Sequence, residues 1–344
     1  MSSPAPAVSF RLPRPLYTRS VPNIVRSALV LASLLAVAAP AAAQRFTFDR
    51  SFDAGAGSTL DVTTERGKID ITTGDENHIV IKGTVTVRVG VSVPANALTL
   101  ARQLADKPTT MEQSGNTVRV RPPQEAEISR AVTVSYEIRV PPNAVVTASS
   151  DSGAISVHGV GGALTVKTQS GAISLSALGG EADITSGSGS VSLTGAAGKV
   201  GVRTESSGIT LRELRGNLEA HTQSGSVTAT FAGPGDAVVE TGSSEISLSG
   251  VDGGVTTKTG SGRTTVTGKA TRPWTSSSTS GAIRLAVGSG GLTLDATTHS
   301  GSVVVEGLRV SGTVEKRKVA GDVGRGGPTV RATSRSGSIR ITHD

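Results

Sequence analysis

Hydroxyl side chains recur along this sequence at a regular spacing and are its most ordered chemical feature. The phrase T-x-S-G-x-I-x-L occurs with small changes ten times between residues 150 and 341. A serine always stands directly before the glycine position, and a serine or threonine stands two residues before that serine. These hydroxyls could form a ladder that contacts a glycan, or they could satisfy backbone groups at a bend. Repetition in every copy favours the bend. The ten serines are Ser152, Ser170, Ser188, Ser206, Ser224, Ser243, Ser261, Ser280, Ser300 and Ser336.

Acidic residues and histidines are the groups that could support hydrolysis or bind a metal. A glycan-cleaving enzyme needs clustered carboxylates and long loops that form a cleft. Here the repeats have almost no insertions, the acids are scattered, and aromatic residues make up only 2% of the chain. No G-x-S-x-G elbow, Walker loop or H-E-x-x-H motif occurs, and the histidines fall at different repeat positions. We therefore predict no enzymatic activity, no cofactor and no metal site. The residues concerned are Asp183, Glu205, Glu219, Glu240 and Asp252, and His78, His158, His221, His299 and His343.

Basic residues concentrate near the end of the sequence, where only Glu315, Asp322 and Asp344 oppose them. They could form a patch for anionic lipid, lipopolysaccharide or a cell-wall polymer. They could also protect an open sheet edge from aggregation, which is the interpretation that we favour. The residues are Lys316, Arg317, Lys318, Arg325, Arg331, Arg335 and Arg340.

The elements that would position these groups follow from the period of the repeat. The glycine position falls at residues 153, 171, 189, 207, 225, 244, 262, 281, 301 and 337, with Ser207 and Ser244 as replacements. The steps are 18 to 20 residues, except for a last step of 36 that we interpret as two periods with a degenerate coil between them. An outlying copy lies at 64–71. Such a repeat indicates a solenoid.

Each period contains two short runs of alternating apolar residues, which is typical of half-buried strands. The inward positions change parity at the Ser-Gly step, as a bend between two strands would require, and glycine there would supply a backbone conformation that other residues resist. The sequence therefore predicts an all-β, single-chain, parallel β-helix-like solenoid of about 18 residues per coil. The predicted bend residues are Ser152-Gly153, Ser170-Gly171, Ser188-Gly189, Ser224-Gly225, Ser261-Gly262, Ser280-Gly281, Ser300-Gly301 and Ser336-Gly337.

Residues 1–43 have the features of a signal peptide behind an N-terminal preamble. The apolar run at 27–39 follows Arg26 and precedes an A-x-A site that ends at Ala43. The run is shorter than the roughly 20 residues of a spanning helix. Cleavage would leave 30 basic and 27 acidic residues, too small an excess to indicate a nucleic acid as partner. We expect export to the periplasm, cell surface or medium, and no transmembrane span in the mature chain.

Residues 44–145 lack the period and are predicted to form a strand-rich cap on a solenoid region at 146–344. Strands are expected at 59–63, 68–72, 78–89, 116–121 and 131–140. One short helix is expected after Asn96, which could cap it, and before Pro108. This segment would close the first coil or carry the binding surface.

The chain resembles the putative-adhesin family of bacterial envelope proteins, which has β-strand repeats and no established biochemical role. The likeness covers 45–344 and is carried by STLDVTTERGKIDI, VSYEIRVPPNAVVTASSDSGAISVHGVGG, the S-G-x-I coils and VAGDVGRGGPTVRATSRSGSIRI. The resemblance implies an exported solenoid and, through the family's name, surface adhesion. It supplies no catalytic or ligand-binding residue.

Three functions follow in order of preference. The first is a non-catalytic envelope protein, an adhesin or binding scaffold that presents a regular β surface to a polysaccharide, an anionic membrane component or another protein. The second is a structural or sensory periplasmic module in an envelope-stress response. The third is a polysaccharide-active β-helix enzyme.

Overall fold

The computed structural model describes residues 44–344 except 56, 76, 89–92 and 109. The predicted signal peptide at 1–43 lies outside the described residues. The helices are α1 (Ala97–Asp106) and α2 (Ala126–Ala131). The strands, in chain order, are β1 (Arg45–Asp53), β2 (Thr59–Thr64), β3 (Ile69–Thr73), β4 (His78–Val87), β5 (Met111–Ser114), β6 (Thr117–Val120), β7 (Val132–Val140), β8 (Val145–Ser150), β9 (Ile155–His158), β10 (Leu164–Thr168), β11 (Ile173–Leu178), β12 (Ala182–Ser186), β13 (Val191–Ala196), β14 (Val200–Thr204), β15 (Ile209–Leu214), β16 (Leu218–Thr222), β17 (Val227–Phe231), β18 (Ala237–Thr241), β19 (Ile246–Thr259), β20 (Thr264–Ser278), β21 (Ile283–Val287), β22 (Leu292–Thr298), β23 (Val303–Glu306), β24 (Val310–Val314), β25 (Lys318–Val323), β26 (Thr329–Ser334) and β27 (Ile339–His343).

Each coil contributes one strand before the Ser-Gly bend and one after it, and these form the two faces of one continuous 27-stranded sheet. We call them the upstream and the downstream sheet. The upstream order is β5-β6-β2-β8-β10-β12-β14-β16-β18-β19-β20-β26-β22-β25-β24. The downstream order is β1-β4-β7-β3-β9-β11-β13-β15-β17-β19-β20-β21-β27-β23. Strands β19 and β20 contribute to both sheets because each continues around a corner.

The coils stack in parallel and in register, which confirms the predicted all-β solenoid. Leu164 pairs with Ala182, which in turn pairs with Val200 in the upstream sheet. In the downstream sheet Ile173 pairs with Val191 at the same offset of one period. Each inward column therefore stacks aliphatic side chains, and their burial supplies the main favourable free energy of the fold.

The core contains few aromatic residues. The largest buried side chain is that of Trp274, which is 0% exposed and whose Nε1 donates a hydrogen bond of 2.9 Å to the carbonyl of Gly253. This bond satisfies the one polar atom that the indole brings into the interior. The remaining core is almost entirely Val, Ile, Leu and Ala.

The outlying copy at 64–71 belongs to a complete coil at one end of the stack. Strands β2 and β3 lie directly on β8 and β9, with Leu60 opposite Val146 and Ile69 opposite Ile155. Strands β6 and β7 pair with β2 and β3 in parallel, and the antiparallel strands β5, β4 and β1 lie outside them. The outer edges of β2 and β3 in the first coil are thus covered by further strands.

Helix α1 corresponds to the helix predicted from the sequence, but it is not capped as expected. The Asn96 side chain makes no capping hydrogen bond, and its Nδ2 donates to Glu127 Oε1 at 3.3 Å instead. Glu127 lies on α2, a helix of six residues that the sequence did not indicate. In the described residues, no helix is long and apolar enough to cross a membrane.

The order of the last coils differs from the order in the sequence. Strand β26 lies between β20 and β22, and β27 lies between β21 and β23. The prediction that residues between 301 and 337 form a degenerate coil is therefore wrong. These residues instead contain β24 and β25, which run antiparallel along the outer edge of β22. The coil at 329–343 returns to fill the gap between two coils that precede it in the chain.

Candidate functional site

The predicted bend residues lie between the strands of the upstream and downstream sheets, and their glycines stack on one another. A Cβ atom placed on Gly171 would lie 2.0 Å from the carbonyl oxygen of Gly153, and one on Gly189 would lie 1.8 Å from that of Gly171. The eight predicted bend glycines do not adopt left-handed φ angles. The expected reason for glycine is therefore wrong. At these eight bends glycine is favoured because the backbones of successive coils touch, and a Cβ atom would lie within 2.3 Å of a carbonyl oxygen of the neighbouring coil.

The two hydroxyl columns of the repeat have different environments. The inner column, three residues before the glycine position, is buried and bonded to the bend; it consists of Ser150, Thr168, Ser186, Thr204, Thr222, Thr241, Thr259, Ser278, Thr298 and Ser334. The Gly171 N–H donates to Thr168 Oγ1 at 2.9 Å, and the Gly225 N–H donates to Thr222 Oγ1 at 2.9 Å. Six further bends repeat this bond. The outer column, formed by the ten serines directly before the glycine position, is exposed.

A concave surface, which we call the trough, follows the inner column along the solenoid. It has a volume of about 1290 Å³ and extends from the coil of Arg203 to Arg317. One wall is the column four residues before the bend: Arg203, His221, Glu240, Lys258, Ser277, Thr333 and Thr297. The other wall, two residues before the bend, consists of Gln223, Gly242, Gly260, Thr279, Arg335 and His299. A further 460 Å³ of concave surface, which shares Arg203 and Thr204, continues it toward the first coils.

Ion pairs cross-link the coils at one end of the trough. Arg203 Nη2 lies 3.0 Å from Glu219 Oε1, and Arg203 Nη1 lies 3.7 Å from Asp183 Oδ1. His221 Nε2 lies 3.3 Å from the same oxygen of Glu219, and His221 Nδ1 lies 3.6 Å from Glu240 Oε2. The hydrogen bond with His221 and the nearby positive charge of Arg203 lower the pKa of the Glu219 carboxyl. Glu219 is therefore held in its ionised form.

This network corrects the expectation that the acids are scattered. Asp183 and Glu219 are two periods apart and occupy one column of the upstream sheet, and Glu240 lies on the next coil beyond Glu219. Residues that are 36 positions apart in the sequence therefore share the partner Arg203. Assigning each acid to its column of the repeat would have revealed the cluster.

The C-terminal basic residues, which we expected to protect an open sheet edge or to form one patch, are distributed over several surfaces. Arg331 Nε donates to Asp295 Oδ2 at 2.8 Å, and Arg340 Nη1 lies 3.2 Å from Glu306 Oε1. Asp295 and Glu306 belong to the coil of β22 and β23, which pairs with β26 and β27. Arg331 and Arg340 therefore have acidic partners that could not be identified from the order of the coils in the sequence. Arg317 and Arg335 line the trough.

The five histidines are separated in space as well as in the sequence. His221 and His299 line opposite walls of the trough. His158 Nδ1 lies 2.8 Å from Ser176 Oγ, while His78 lies near Asp53 and Asp75. His343 Nδ1 lies 2.7 Å from the carbonyl of Asp344. Across the described part of the chain, no three His, Cys, Asp or Glu side chains are grouped so that they could hold a metal ion.

Parallel coils with two strands per turn, a stacked bend and an aliphatic core define a β-solenoid repeat protein. Comparison with known families leads to the same class. Residues 52–342 match the family model Toastrack DUF4097, and the chain belongs to this family, a domain of unknown function.

Several solved structures resemble the chain, among them the following three. A putative adhesin from Bacteroides fragilis is 14% identical, with 87% of this chain and 97% of that chain covered and a TM-score of 0.30. A putative lipid binding protein from Parabacteroides distasonis is 12% identical, with 86% and 96% covered and a TM-score of 0.30. A putative cell adhesion protein from Clostridium sporogenes is 9% identical, with 88% and 100% covered and a TM-score of 0.21. No curated protein matches the chain. These similarities transfer no ligand to it.

Proposed function

We propose that this chain is a non-catalytic binding scaffold of the bacterial envelope. Residues 1–43 direct its export, and the solenoid displays the trough as an adhesin-type surface. The observation that carries the proposal is the trough itself, a single concave surface that crosses seven coils and ends at Arg317. A repeated surface of this kind suits an extended partner, as in other solenoid proteins.

The chemistry of the carboxylates favours binding over hydrolysis. A general acid that works near neutral pH needs a raised pKa, usually through burial. The pKa of Glu219 is lowered, and its neighbours Asp183 and Glu240 each lie within 4 Å of Arg203 or His221. Because its pKa is lowered, Glu219 is a poor proton donor, and the contacts of the three carboxylates join neighbouring coils.

The proposal is tested by producing the full chain in a bacterium and locating it by cell fractionation. We expect a mature protein that begins at Gln44 and is found outside the cytoplasm. The purified protein is then incubated with isolated envelope polysaccharides, and retention and new reducing ends are both measured. Retention without new reducing ends supports a binding scaffold, and heat-unfolded protein is the control.

Two results would contradict the proposal. New reducing ends that disappear in the Glu219→Gln variant would establish an enzyme. Failure to retain any envelope component would favour the structural or sensory module instead.

A further inference from the structure

Three cations in the trough stand without an acidic partner. Lys258, Arg335 and Arg317 line it, and among the described residues none of them has a carboxylate oxygen within 4.0 Å of its charged nitrogens. Arg203 also lines the trough but pairs with Glu219 and Asp183. Glu240, the one carboxylate among the described lining residues, lies 3.6 Å from His221 and on the strand next to Lys258, so cations exceed acids in the trough. We propose that the trough binds a linear anionic polysaccharide whose chain lies along the solenoid axis. This inference rests on the proposed function, because it names the ligand of the same surface.

The spacing of the three cations matches a ligand that runs along the axis. Lys258 lies on β19 and Arg335 directly follows β26, two strands farther on; Arg317 directly precedes β25, two strands beyond β26. Strands are about 4.8 Å apart, so the positive charges recur at steps of about 10 Å along a trough about 34 Å long. A polymer with regularly spaced negative charges would meet one cation at each step. A small anion would meet only one of them.

The trough walls supply hydrogen-bonding groups between the charges. Thr279, Thr297 and Thr333 present hydroxyls, and Gln223 presents an amide. The buried hydroxyls of the floor are already engaged; Thr298 Oγ1, for example, donates to the Gly337 carbonyl at 2.8 Å. The ligand would therefore contact the walls. Hydroxyl and amide groups beside cations suit a polymer that carries both hydroxyls and acidic groups.

The shape and composition of the trough separate this ligand from other polyanions. A membrane surface is nearly flat and would bridge a concave surface rather than enter it. Single-stranded nucleic acid is usually held by aromatic side chains on which its bases stack, and no Phe, Tyr or Trp occurs among the described residues that line the trough. A polysaccharide chain is narrow and needs no stacking surface when charges and hydroxyls hold it.

The test measures binding of the full chain to polygalacturonate, a linear polymer with one carboxylate per sugar. We compare a trough variant, Lys258→Gln/Arg317→Gln/Arg335→Gln, with a control variant, Lys269→Gln/Arg212→Gln/Arg284→Gln. The control removes the same charge from exposed residues that do not line the trough. We expect the trough variant to bind about tenfold more weakly, from three exposed ion pairs of about 0.5 kcal/mol each, and the control to lose much less. Higher salt should weaken the binding of the unmodified chain.

Other ligands and readouts decide against the inference. Equal loss in both variants would assign the attraction to net charge and overturn the trough as the site. Equal binding of dextran, which is neutral, would overturn the anionic class. Binding to phosphatidylglycerol vesicles or to single-stranded DNA with no binding to polygalacturonate would also overturn it. If one of these results overturned the ligand, retention of another envelope component would still support the scaffold proposal. New reducing ends in the polygalacturonate would instead refute the scaffold proposal itself.

Discussion

Glycine at the bend acts by its lack of a side chain, because the carbonyl oxygen of the preceding coil occupies the space where a Cβ atom would stand. Two coils carry a serine at this position and illustrate how a side chain is accommodated. Ser244 Oγ donates to the carbonyl of Ser224 at 2.6 Å, and Ser207 bonds the carbonyl of Ser188 in the same way. A serine can thus convert close approach into a hydrogen bond, whereas alanine has no polar atom with which to do so.

The first prediction concerns this contact. We expect Gly189→Ala to lower the free energy of unfolding by about 1–3 kcal/mol, because the new Cβ would lie 1.8 Å from the Gly171 carbonyl and force the coils apart. Urea denaturation measures the change. Gly201→Ala on the next coil is the matched control, since its nearest neighbour would be 3.6 Å away. A loss of equal size in both variants would show that contact between coils is not the cause.

The second prediction separates the two hydroxyl columns. Thr222→Val should cost about 1–3 kcal/mol in unfolding free energy, because the N–H of Gly225 would lose its acceptor in a buried position. Ser224→Ala, in the exposed outer column of the same bend, should change it by less than about 0.5 kcal/mol. Thermal denaturation of both variants checks this. If Ser224→Ala were the more destabilising change, the outer column would carry the structural role.

At the scale of elements, the period of the sequence predicts the strands well and their spatial order poorly. Alternation places β10 and β11 correctly because one face of each strand is buried against the core. The same alternation marks β26 and β27 as strands but contains no information about their neighbours. Because every coil has aliphatic inward residues, the sequence of one coil does not determine which other coil its strands pair with.

The trough could be predicted only in part for the same reason. Both hydroxyl columns are visible in the sequence. Which column is buried and bonded to the backbone depends on how sharply the chain turns at the bend, and the sequence does not show this. The cations of the trough come from distant segments. Arg317 reaches it because β25 pairs with β22, a contact that follows from the antiparallel excursion at 307–328. Helix α2 also escaped detection, since six residues are too few to establish a helical period.

The third prediction tests the inserted order of the coils. The chain contains no cysteine, so within one chain a disulfide can form only between the two cysteines that a variant introduces. Arg284 is in register with Arg340, which is in register with Val304. We expect Arg284→Cys/Arg340→Cys to form a disulfide on mild oxidation, because paired strands bring the Cα atoms within about 4.4–6.8 Å.

The control pair is Arg284→Cys/Val304→Cys, which would be direct neighbours if the coils were stacked in sequence order. In the structure these positions lie two strands apart, about 10 Å, and cannot be bridged without movement of the backbone. Gel mobility before and after reduction distinguishes the two variants. Rapid cross-linking of the control pair, with none in the first, would refute the insertion.

The solenoid as a whole combines a long stack with additional strands at both ends. The first coil is covered by the parallel strands β6 and β7, with the antiparallel strands β5, β4 and β1 outside them, and the upstream strand of the last coil, β22, is covered by β25 and β24. Lys316 and Lys318 are exposed at the turn of the outer hairpin, where the sequence led us to expect charges that protect an open edge. Because each coil is stabilised by its neighbours, a perturbation at either end affects the stability of the entire stack.

The fourth prediction concerns the stability of the whole molecule at alkaline pH. Tyr136 lies on β7 and is 1% exposed, and burial raises its pKa from 10.0 to about 12. The folded state therefore keeps its proton in a range where the unfolded state loses it. This contribution to stability is complete below pH 10 and is lost progressively as the pH rises to about 12, with a total of about 2–3 kcal/mol. Tyr136→Phe removes the ionisable group, so its stability should fall less over the same range.

Denaturation curves at several pH values measure this difference between the unmodified chain and the variant. In the proposed mature chain, which begins at Gln44, Tyr136 is the only tyrosine of the sequence, and the ultraviolet absorbance of its phenolate reports its titration directly. An apparent pKa near 10 in the folded protein would contradict the expected burial.

The late coil at 329–343 has a consequence for biosynthesis. A ribosome makes the chain from its N-terminal side, and earlier segments fold first. Strands β22 and β23 are therefore completed before β26 and β27, against which they pack. Until β26 and β27 have been made, β22 and β23 lack the strands with which they pair in the finished protein. We expect the edges of β22 and β23 to remain unpaired in the nascent protein until β27 has been made. Prematurely terminated chains would then expose unpaired strands, and we expect proteases and chaperones to recognise them preferentially.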